Sequence, residues 1–412
     1  MRTKNYFLIN SLTGGGAERQ VSLLISHLNI SKIICLFKLE SYPVAADKKL
    51  FLFPSLHKYG FIRFLLIPFM LIRLRKKINP GRDTHLISFL QLSNIVGLCC
   101  KLIWRCRLTV SIRTTTSLYY KIYKIGAFTK RLDRLVFKHA DKLVTNSEGS
   151  KQDLINNFGI DEGKIEVIVN AYDICEIEQL MVKPFDDPDI ETLFNNYKII
   201  LSVGRLGVEK GLGQALKIFK DVKAADRFVK YVIIGQGNEK SRLLSIARQL
   251  GLKVYDKETN TASLLDDYDV LFLGFQKNPY QYCCRASVFL FPSLFEGMPN
   301  ALAEAFICGV MCVSADCKSG PREILSNTAY DSVLTYPYFE LGYLMPVLDE
   351  YNTDQPMTAS EKLWINVIIN LIKNKRPALD DVAYREKIEQ FNKDNILRKW
   401  ETILEKGEQE SA

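Results

Sequence analysis

The stretch VFLFPSLFEGMPNALAEA, residues 288–305, decides how the chain folds, because it is typical of a strand, a loop and a helix in direct succession. Its first four residues, Val288–Phe291, are β-branched, aliphatic or aromatic, which predicts a buried strand. Pro299 lies near the expected start of a helix, where proline is tolerated. Glu296 is therefore expected in the loop at the carboxyl end of the strand, and Glu304 within the helix.

Two carboxylates in these positions suit a ligand that carries many hydroxyl groups. A carboxylate accepts two hydroxyl hydrogen bonds at once, and dinucleotide-binding folds hold a ribose in this way. One glutamate is therefore expected to bind a sugar and the other a ribose diol. The alternative is that Glu296 caps the helix and Glu304 is an ordinary residue on its surface.

Outward from this stretch, strand-like runs alternate with amphipathic segments, which predicts βαβ units with parallel sheets. A polar, acidic stretch around Pro184 resembles a linker and separates a domain at residues 1–178 from one at residues 190–392. Two Rossmann-like α/β domains facing each other across a cleft are expected, with ligands at the carboxyl ends of the strands. The predicted strands are Asn5–Asn10, Ile33–Phe37, His85–Phe89, Leu108–Ile112, Leu143–Thr145, Ile165–Val169, Tyr197–Val203, Lys230–Ile234, Val270–Leu273, Val288–Phe291 and Met311–Ser314.

Composition narrows the class of protein. The chain has 412 residues, of which 47% are hydrophobic and 25% charged, which is typical of a globular protein with more than one domain. Its ten cysteines lie mostly in apolar runs and form no Cys-x-x-Cys motif, so reduced core thiols are expected instead of disulfides or a metal site. The net charge is +9, and Lys and Arg are concentrated in the first 140 residues, so this half could face nucleic acid, anionic lipid or a phosphorylated ligand.

Two glycine-containing turns each follow a predicted strand. Gly14-Gly15-Gly16-Ala17-Glu18-Arg19 opens a helix whose free N–H groups can meet phosphate, or it is a plain strand-to-helix turn. In Val203–Gly211, Arg205 and Lys210 flank another such turn and suit the two charges of a diphosphate. The alternative for this pair is two solvated basic residues.

Taken together, these motifs resemble the retaining GT-B glycosyltransferases of family 4, also called glycosyl transferases group 1. Glu296 and Glu304 resemble the Glu-x7-Glu signature of that family, and Val203-Gly204-Arg205 with Lys210-Gly211 resembles its phosphate-binding segment. The stretch Gly320-Pro321-Arg322-Glu323 is similar to members that build bacterial surface polysaccharides. Further similar segments are Ile234–Gly237, Phe272–Phe275, Gly342–Pro346, Asn146–Ser150 and Val169–Asp173.

The resemblance implies a role for each matching residue. Arg205 and Lys210 would neutralise the departing nucleotide diphosphate, and Glu296 would hold the donor sugar without acting as a general base. It also implies that a final helix, about residues 393–412, packs back on the N-terminal, acceptor-side domain. The donor-binding residues would be Gly15, Gly16, Gly204, Gly235, Gln236, Phe275, Gln276, Met298, Pro299, Asn300, Ala301 and Glu304.

The implied partners are a nucleotide-sugar, with uracil as the expected base, and a lipid-linked glycan acceptor. The segments 61–78 and 119–138 place basic residues among aromatic and aliphatic ones, which favours peripheral binding to the inner face of the cell membrane. The apolar run in 61–72 is too short and too interrupted to span a bilayer, and a cytoplasmic location is expected. The residues assigned to the acceptor or the membrane are Arg113, Lys121, Lys124, Lys130 and Arg131.

Other functions stay open at the level of sequence. The Asp-x-Asp patterns 267–269 and 187–189 would suit a metal-dependent GT-A transferase, and the Rossmann pattern would suit a dinucleotide enzyme or a sugar-nucleotide epimerase. The dinucleotide enzyme lacks support because the sequence has no complete Gly-x-Gly-x-x-Gly. A nucleic-acid binder is suggested only by the basic N-terminal half, which contains no recognition motif. The resemblance implies no metal and no cofactor. His85 begins its predicted strand, so it is given no catalytic role.

Overall fold

The computed structural model describes residues 3–54, 62–124, 126–259, 265–317, 319–349, 351, 355–374 and 381–409. The chain divides into two compact units. The first contains Met1–Ala171 and Gln390–Ala412, and the second contains Tyr172–Glu389.

The first unit is a parallel sheet covered by helices. Its strands are β1 (Lys4–Ile9), β2 (Lys32–Phe37), β3 (Lys49–Phe53), β4 (Thr84–Phe89), β5 (Arg107–Ile112), β6 (Lys142–Thr145) and β7 (Ile165–Val167). Its helices are α1 (Gly16–His27), α2 (Ile62–Leu65), α3 (Ile67–Ile78), α4 (Gln91–Trp104), α5 (Thr116–Ile122), α6 (Ala127–His139) and α7 (Glu148–Phe158). In the described residues, the strand order is β3-β2-β1-β4-β5-β6-β7.

The second unit repeats this architecture. Its strands are β8 (Lys198–Val203), β9 (Val229–Ile234), β10 (Val254–Asp256), β11 (Val270–Gly274), β12 (Val288–Phe291), β13 (Cys312–Ala315), β14 (Tyr338–Phe339) and β15 (Tyr343–Met345). Its helices are α8 (Ile174–Met181), α9 (Pro188–Asn196), α10 (Leu212–Ala225), α11 (Lys240–Gln249), α12 (Tyr280–Cys283), α13 (Asn300–Ile307), α14 (Pro321–Leu325), α15 (Ala359–Lys373) and α16 (Asp381–Glu389). Among the described residues the order is β10-β11-β9-β8-β12-β13-β15-β14, and the β14–β15 pair is antiparallel.

Alternation along the strands separates the two faces of the first sheet. In β1, Tyr6 and Leu8 join one buried cluster while Phe7 and Ile9 join another, because successive side chains point to opposite faces. The first cluster includes residues of α3, α4, α6 and α7. The second includes residues of α1 and of the chain's last helix, α17 (Lys393–Gln409), which buries Trp400 there.

Local signals explain where several helices begin and end. Ser147 caps α7, and its Oγ accepts a hydrogen bond from the Ser150 backbone N–H at 3.1 Å. Thr358 and Glu361 form a reciprocal capping box at the start of α15.

The prediction of two Rossmann-like domains is confirmed by the two sheets, but the expected linker is wrong. The stretch after Asn170 forms α8 and α9, and Asp187 caps α9 with Pro188 in its first turn. The Phe185 ring is buried, with its centroid 4.8 Å from that of Tyr282. The acidic composition predicted a solvent-exposed segment, but the buried Phe185 ring packs the segment against the second unit.

The sequence also missed short elements. It did not predict β3, β10, β14, β15 or α16, because their apolar runs are too brief to show a clear period. Phe61, at the start of a segment expected to bind membrane, lies outside the described residues. Within the part of the chain that the structure describes, none of the helices combines the length and the hydrophobicity needed to cross a bilayer.

Candidate functional site

The strand order of the second sheet selects the place for a ligand. β8 lies between β9 and β12, so the chain turns in opposite directions from β8 and opens a crevice at the carboxyl ends of β8 and β12. β8 leads into Gly204 and Arg205, and β12 leads into the loop 292–299 that carries Glu296. The two motifs that stood apart in the sequence therefore follow neighbouring strands.

Gly211 lets these two loops approach closely. It has φ +62°, and a Cβ atom there would lie 2.1 Å from the Pro292 carbonyl oxygen. A side chain at this position would push the loops apart, so glycine is required by the contact.

Arg205 is held by a residue that sequence reasoning missed. One of its guanidinium nitrogens lies 2.6 Å from Glu209 Oε1. The Arg205 side chain is 71% exposed, whereas the Glu209 side chain is only 6% exposed. The buried carboxylate therefore anchors a side chain that is mostly exposed to solvent. The four-residue spacing of opposite charges was the signal available in the sequence.

Lys210 and Glu296 form an ion pair. Lys210 Nζ lies 2.6 Å from Glu296 Oε1, and the two side chains are 20% and 13% exposed. The ammonium also lies 5.4 Å from the centroid of the Phe291 ring, within the range of a cation–π contact. A largely buried pair of opposite charges thus lies at the crevice between the carboxyl ends of β8 and β12.

Glu296 and Glu304 occupy the predicted elements, a loop and a helix. Glu304 is 4% exposed within α13, one turn after its start. Asn300, the first residue of α13, accepts a hydrogen bond at Oδ1 from the Tyr172 hydroxyl at 2.9 Å. Met298 is buried and Pro299 precedes the helix, so the backbone of this segment is well fixed.

The remaining residues assigned to the donor in the second unit lie at the ends of β9 and β11. Gly235 and Gln236 follow β9, and the Gln236 amide lies 3.5 Å from Glu258 Oε1. Phe275 is 67% exposed. The Gln276 side chain donates to the Leu273 carbonyl oxygen at 2.7 Å, so this amide supports the shape of its own loop.

In the first unit, Gly15 and Gly16 begin α1 as predicted. A Cβ atom on Gly15 would lie 2.2 Å from Glu18 Oε2, which brings that carboxylate to the turn. His85 is fully buried, with its ring nitrogens 3.2 Å from Asn5 Oδ1 and 2.8 Å from Thr109 Oγ1. Burial lowers the pKa of His85 to about 3, so its role is to join three strands as a neutral ring.

The residues assigned to the acceptor or membrane lie in two places. Arg113 follows β5, hydrogen-bonds to Asn170, and accepts at its carbonyl oxygen from the Asn146 amide at 3.3 Å. By contrast, four basic residues project from the region of α5 and α6, where all are exposed: Lys121, Lys124, Lys130 and Arg131. The structure thus separates Arg113 from this exposed group.

These basic residues share a face with exposed apolar side chains. In the described residues of the first unit, every exposed large hydrophobic side chain lies on or beside α2 to α6. We call this face, with its basic residues, the α3–α6 face. Its apolar members are Leu65, Phe69, Ile72, Leu102, Ile103, Tyr119, Tyr123, Phe128 and Leu135. The contribution of α4, through Leu102 and Ile103, was not predicted.

No group of three or more His, Cys, Asp or Glu side chains suited to hold a metal ion occurs among the described residues. Of the two Asp-x-Asp patterns, residues 187–189 begin α9, and residues 267–269 precede β11.

Comparison with known proteins adds independent findings. Residues 14–175 match the model of Glycosyltransferase Family 4, and residues 185–338 match that of Glycosyl transferases group 1. The chain is 31% identical over 329 residues to the N-acetylgalactosamine-N,N'-diacetylbacillosaminyl-diphospho-undecaprenol 4-alpha-N-acetylgalactosaminyltransferase of Campylobacter jejuni, covering 78% of this chain and 83% of that one. It is 28% identical to the amylovoran biosynthesis glycosyltransferase AmsD of Erwinia amylovora, covering 82% and 87%.

Among solved structures, HepE of Anabaena in complex with UDP and glucose has a TM-score of 0.69 and 17% identity. The likeness covers 98% of this chain and all of that one, so it extends over both units.

Proposed function

Because the chain belongs to the family 4 glycosyltransferases, we propose that it transfers a sugar from a nucleotide-sugar, with retention of configuration, to a hydroxyl of a lipid-linked glycan. The product would be a bacterial surface polysaccharide such as O-antigen, capsule or lipopolysaccharide. The main support for this proposal is the Lys210–Glu296 ion pair, which lies with Arg205 at the crevice between the carboxyl ends of β8 and β12.

Family membership removes the dinucleotide enzyme and the epimerase from the alternatives. The GT-B fold expected from the sequence is confirmed, so the metal-dependent GT-A class, suggested by the two Asp-x-Asp patterns, is removed as well.

Arg205 and Lys210 are suited to receive a diphosphate leaving group. Negative charge develops on it as the glycosidic bond breaks, and fixed donors aimed at that charge lower the barrier. Lys210 would leave Glu296 for a phosphate oxygen, and the released carboxylate would accept hydrogen bonds from the sugar hydroxyls. Glu209 holds the Arg205 side chain, which is 71% exposed and can therefore be reached by the diphosphate.

The nucleoside would be bound by Glu304 and by the loop after β11. Glu304 suits the two ribose hydroxyls, and the exposed Phe275 ring suits stacking on a base. HepE was solved with UDP, and this supports uracil as the base. Further donor contacts in the second unit would come from Gly204, Gly235, Gln236, Gln276 and the backbone of residues 298–301.

In the proposed reaction, the acceptor hydroxyl attacks the anomeric carbon from the side that the diphosphate leaves. The bond from that carbon to the diphosphate breaks, a bond to the acceptor oxygen forms, and a diphosphate oxygen takes the proton. The transition state is oxocarbenium-like, as in glycosidases. Unlike retaining glycosidases, the proposed reaction uses no carboxylate of the protein as a nucleophile. Arg205 and Lys210 would neutralise the charge of the diphosphate, so we propose that the reaction needs no metal ion.

The lipid-linked acceptor requires access to a membrane, and the α3–α6 face suits this. Basic side chains attract anionic headgroups while the apolar ones enter the interface. The Campylobacter relative is named for an undecaprenol-linked acceptor, and this supports the same class of acceptor here.

The reaction is tested by a panel of UDP-, GDP- and dTDP-sugars with polyprenyl-diphosphate-linked and soluble acceptors. We expect transfer from a UDP-sugar to the lipid-linked acceptor, unaffected by EDTA, and NMR should show the donor's anomeric configuration in the product. Inversion, or loss of activity with EDTA, would refute the proposed mechanism.

Membrane binding is tested by sedimentation with liposomes. Lys130→Gln with Arg131→Gln removes two charges from the α3–α6 face, and Arg398→Gln with Lys399→Gln removes two exposed charges from α17 on the opposite face of the same sheet. At about 1 kcal/mol per charge, the first variant should weaken binding to anionic vesicles by roughly thirtyfold and the second should not. Equal effects, or no binding by the wild type at low salt, would contradict this surface.

A further inference from the structure

A buried ion pair outside the residues assigned above lies directly behind the loop that carries Glu296. Arg322 Nε donates to Asp316 Oδ1 at 3.0 Å, and a second guanidinium nitrogen donates to Asp316 Oδ2. The Asp316 side chain is fully buried, and that of Arg322 is 10% exposed. Asp316 directly follows β13, and Arg322 is the second residue of α14.

The pair is embedded in further hydrogen bonds. Arg322 also donates to the carbonyl oxygens of Tyr330 and Ser332, at 3.0 and 2.6 Å, and Asp316 accepts from the Tyr336 hydroxyl at 2.8 Å. Four bonds from one guanidinium require its planar fork, which a lysine ammonium cannot reproduce. The network therefore fixes Asp316 and the start of α14, with the described residues Cys317 and Ser319 next to them in the chain.

Between the two charges, the chain contacts the Glu296 loop from behind. Ser319 Oγ donates to the Glu296 carbonyl oxygen at 2.5 Å, and Cys317 Sγ lies 3.0 Å from the Ser293 carbonyl oxygen. Gly320 has φ +77°, and a Cβ atom there would lie 2.3 Å from the Gly297 carbonyl oxygen. Cys317, Ser319 and Gly320 thus contact the main chain on both sides of Glu296.

We propose that Asp316, Arg322 and Ser319 are positioning residues that fix the Glu296 carboxylate for the donor sugar. The ion pair holds Ser319, Ser319 holds the Glu296 carbonyl, and the loop then presents the carboxylate toward Lys210. This inference rests on the proposed role of Glu296 in glycosyl transfer. A misplacement of about 1 Å at such a group is enough to slow an enzyme markedly.

The test compares Ser319→Ala, Asp316→Asn and Arg322→Lys with a matched control. The control is Glu361→Gln, which breaks another buried ion pair of the same unit. Glu361 lies on α15, 2.9 Å from Lys217 on α10, and neither residue belongs to the Glu296 loop. Each variant is measured for kcat, for the Kd of free UDP, and for hydrogen exchange of the amides at 294–298.

Ser319→Ala is expected to lower kcat by about tenfold, to leave the UDP Kd within roughly twofold, and to speed exchange at 294–298. Asp316→Asn and Arg322→Lys should do the same or more, and Glu361→Gln should change none of the three. A merely structural role would weaken UDP binding and raise exchange across the whole unit.

The inference is overturned if Ser319→Ala keeps both wild-type kcat and wild-type exchange. If the wild type transfers no sugar from any donor, the proposed function fails. In that case hydrogen exchange still tests the positioning role. Faster exchange of the amides at 294–298 in Ser319→Ala would support that role, and unchanged exchange there would refute it.

Discussion

Substitutions in the Lys210–Glu296 pair should affect the stability of the second unit and its turnover in different ways. The perturbation is a double-mutant cycle of Lys210→Met, Glu296→Gln and the two combined. At 2.6 Å, two unit charges attract by about 6 kcal/mol at an effective dielectric constant of about 20. Because the side chains are only 20% and 13% exposed, their desolvation offsets most of this attraction.

We therefore expect each single substitution to lower the free energy of unfolding of the second unit by about 2–3 kcal/mol, because it leaves one buried charge unpaired. The double variant should lose little more than either single one, which corresponds to a coupling of about 2 kcal/mol. Turnover should behave differently. Each single variant should lose on the order of 10² in kcat, and the double variant should recover none of it, since both groups act on the donor.

Hydrogen exchange of amides in β8 and β12 gives the free energy of opening for the second unit alone, which a global melt of a two-unit chain does not. The Lys217–Glu361 pair is the control, because its side chains are similarly buried. The double-mutant cycle of Lys217 and Glu361 should show a coupling in the free energy of unfolding, while kcat stays unchanged in all its variants. A coupling below about 0.5 kcal/mol, or a Lys210→Met variant with kcat within threefold of wild type, would refute the reasoning.

Other predictions concern single positions. Arg205→Ala should lower kcat by on the order of 10², and Arg205→Lys should not restore it, because one ammonium cannot hold Glu209 and a diphosphate together; wild-type turnover in the lysine variant would indicate simple screening. Glu304→Ala should weaken UDP binding by about tenfold in calorimetry, and an unchanged Kd would remove its ribose role. The His85 pKa is about 3 in the folded protein against 6.5 in the unfolded chain, so its stabilisation is full above pH 6.5 and is lost as the pH falls toward 3. Over this range the free energy of unfolding should therefore fall by up to about 1.4 kcal/mol per pH unit more in wild type than in His85→Gln, and equal slopes would contradict a neutral buried ring.

Much of the fold was readable from the sequence because it depends on local patterns. The strands that precede Arg205 and Glu296 are short apolar runs ended by glycine or proline, and such runs predict buried parallel strands. The helix at Glu304 was placed by Pro299 near its start. These signals require only near neighbours along the chain, so the sequence alone determined two α/β units and the loops that carry Arg205, Lys210 and Glu296.

The pairings within the site depended on tertiary structure. Lys210 and Glu296 are 86 positions apart, and only the adjacency of β8 and β12 brings their charges together. Ser319 and the Asp316–Arg322 pair went unassigned because they act on the main chain of the Glu296 loop, and no spacing rule encodes such contacts. The acidic stretch at 185–189 was misread for the same reason: local composition indicates exposure, but burial of Phe185 depends on which aromatic rings the rest of the chain brings to it.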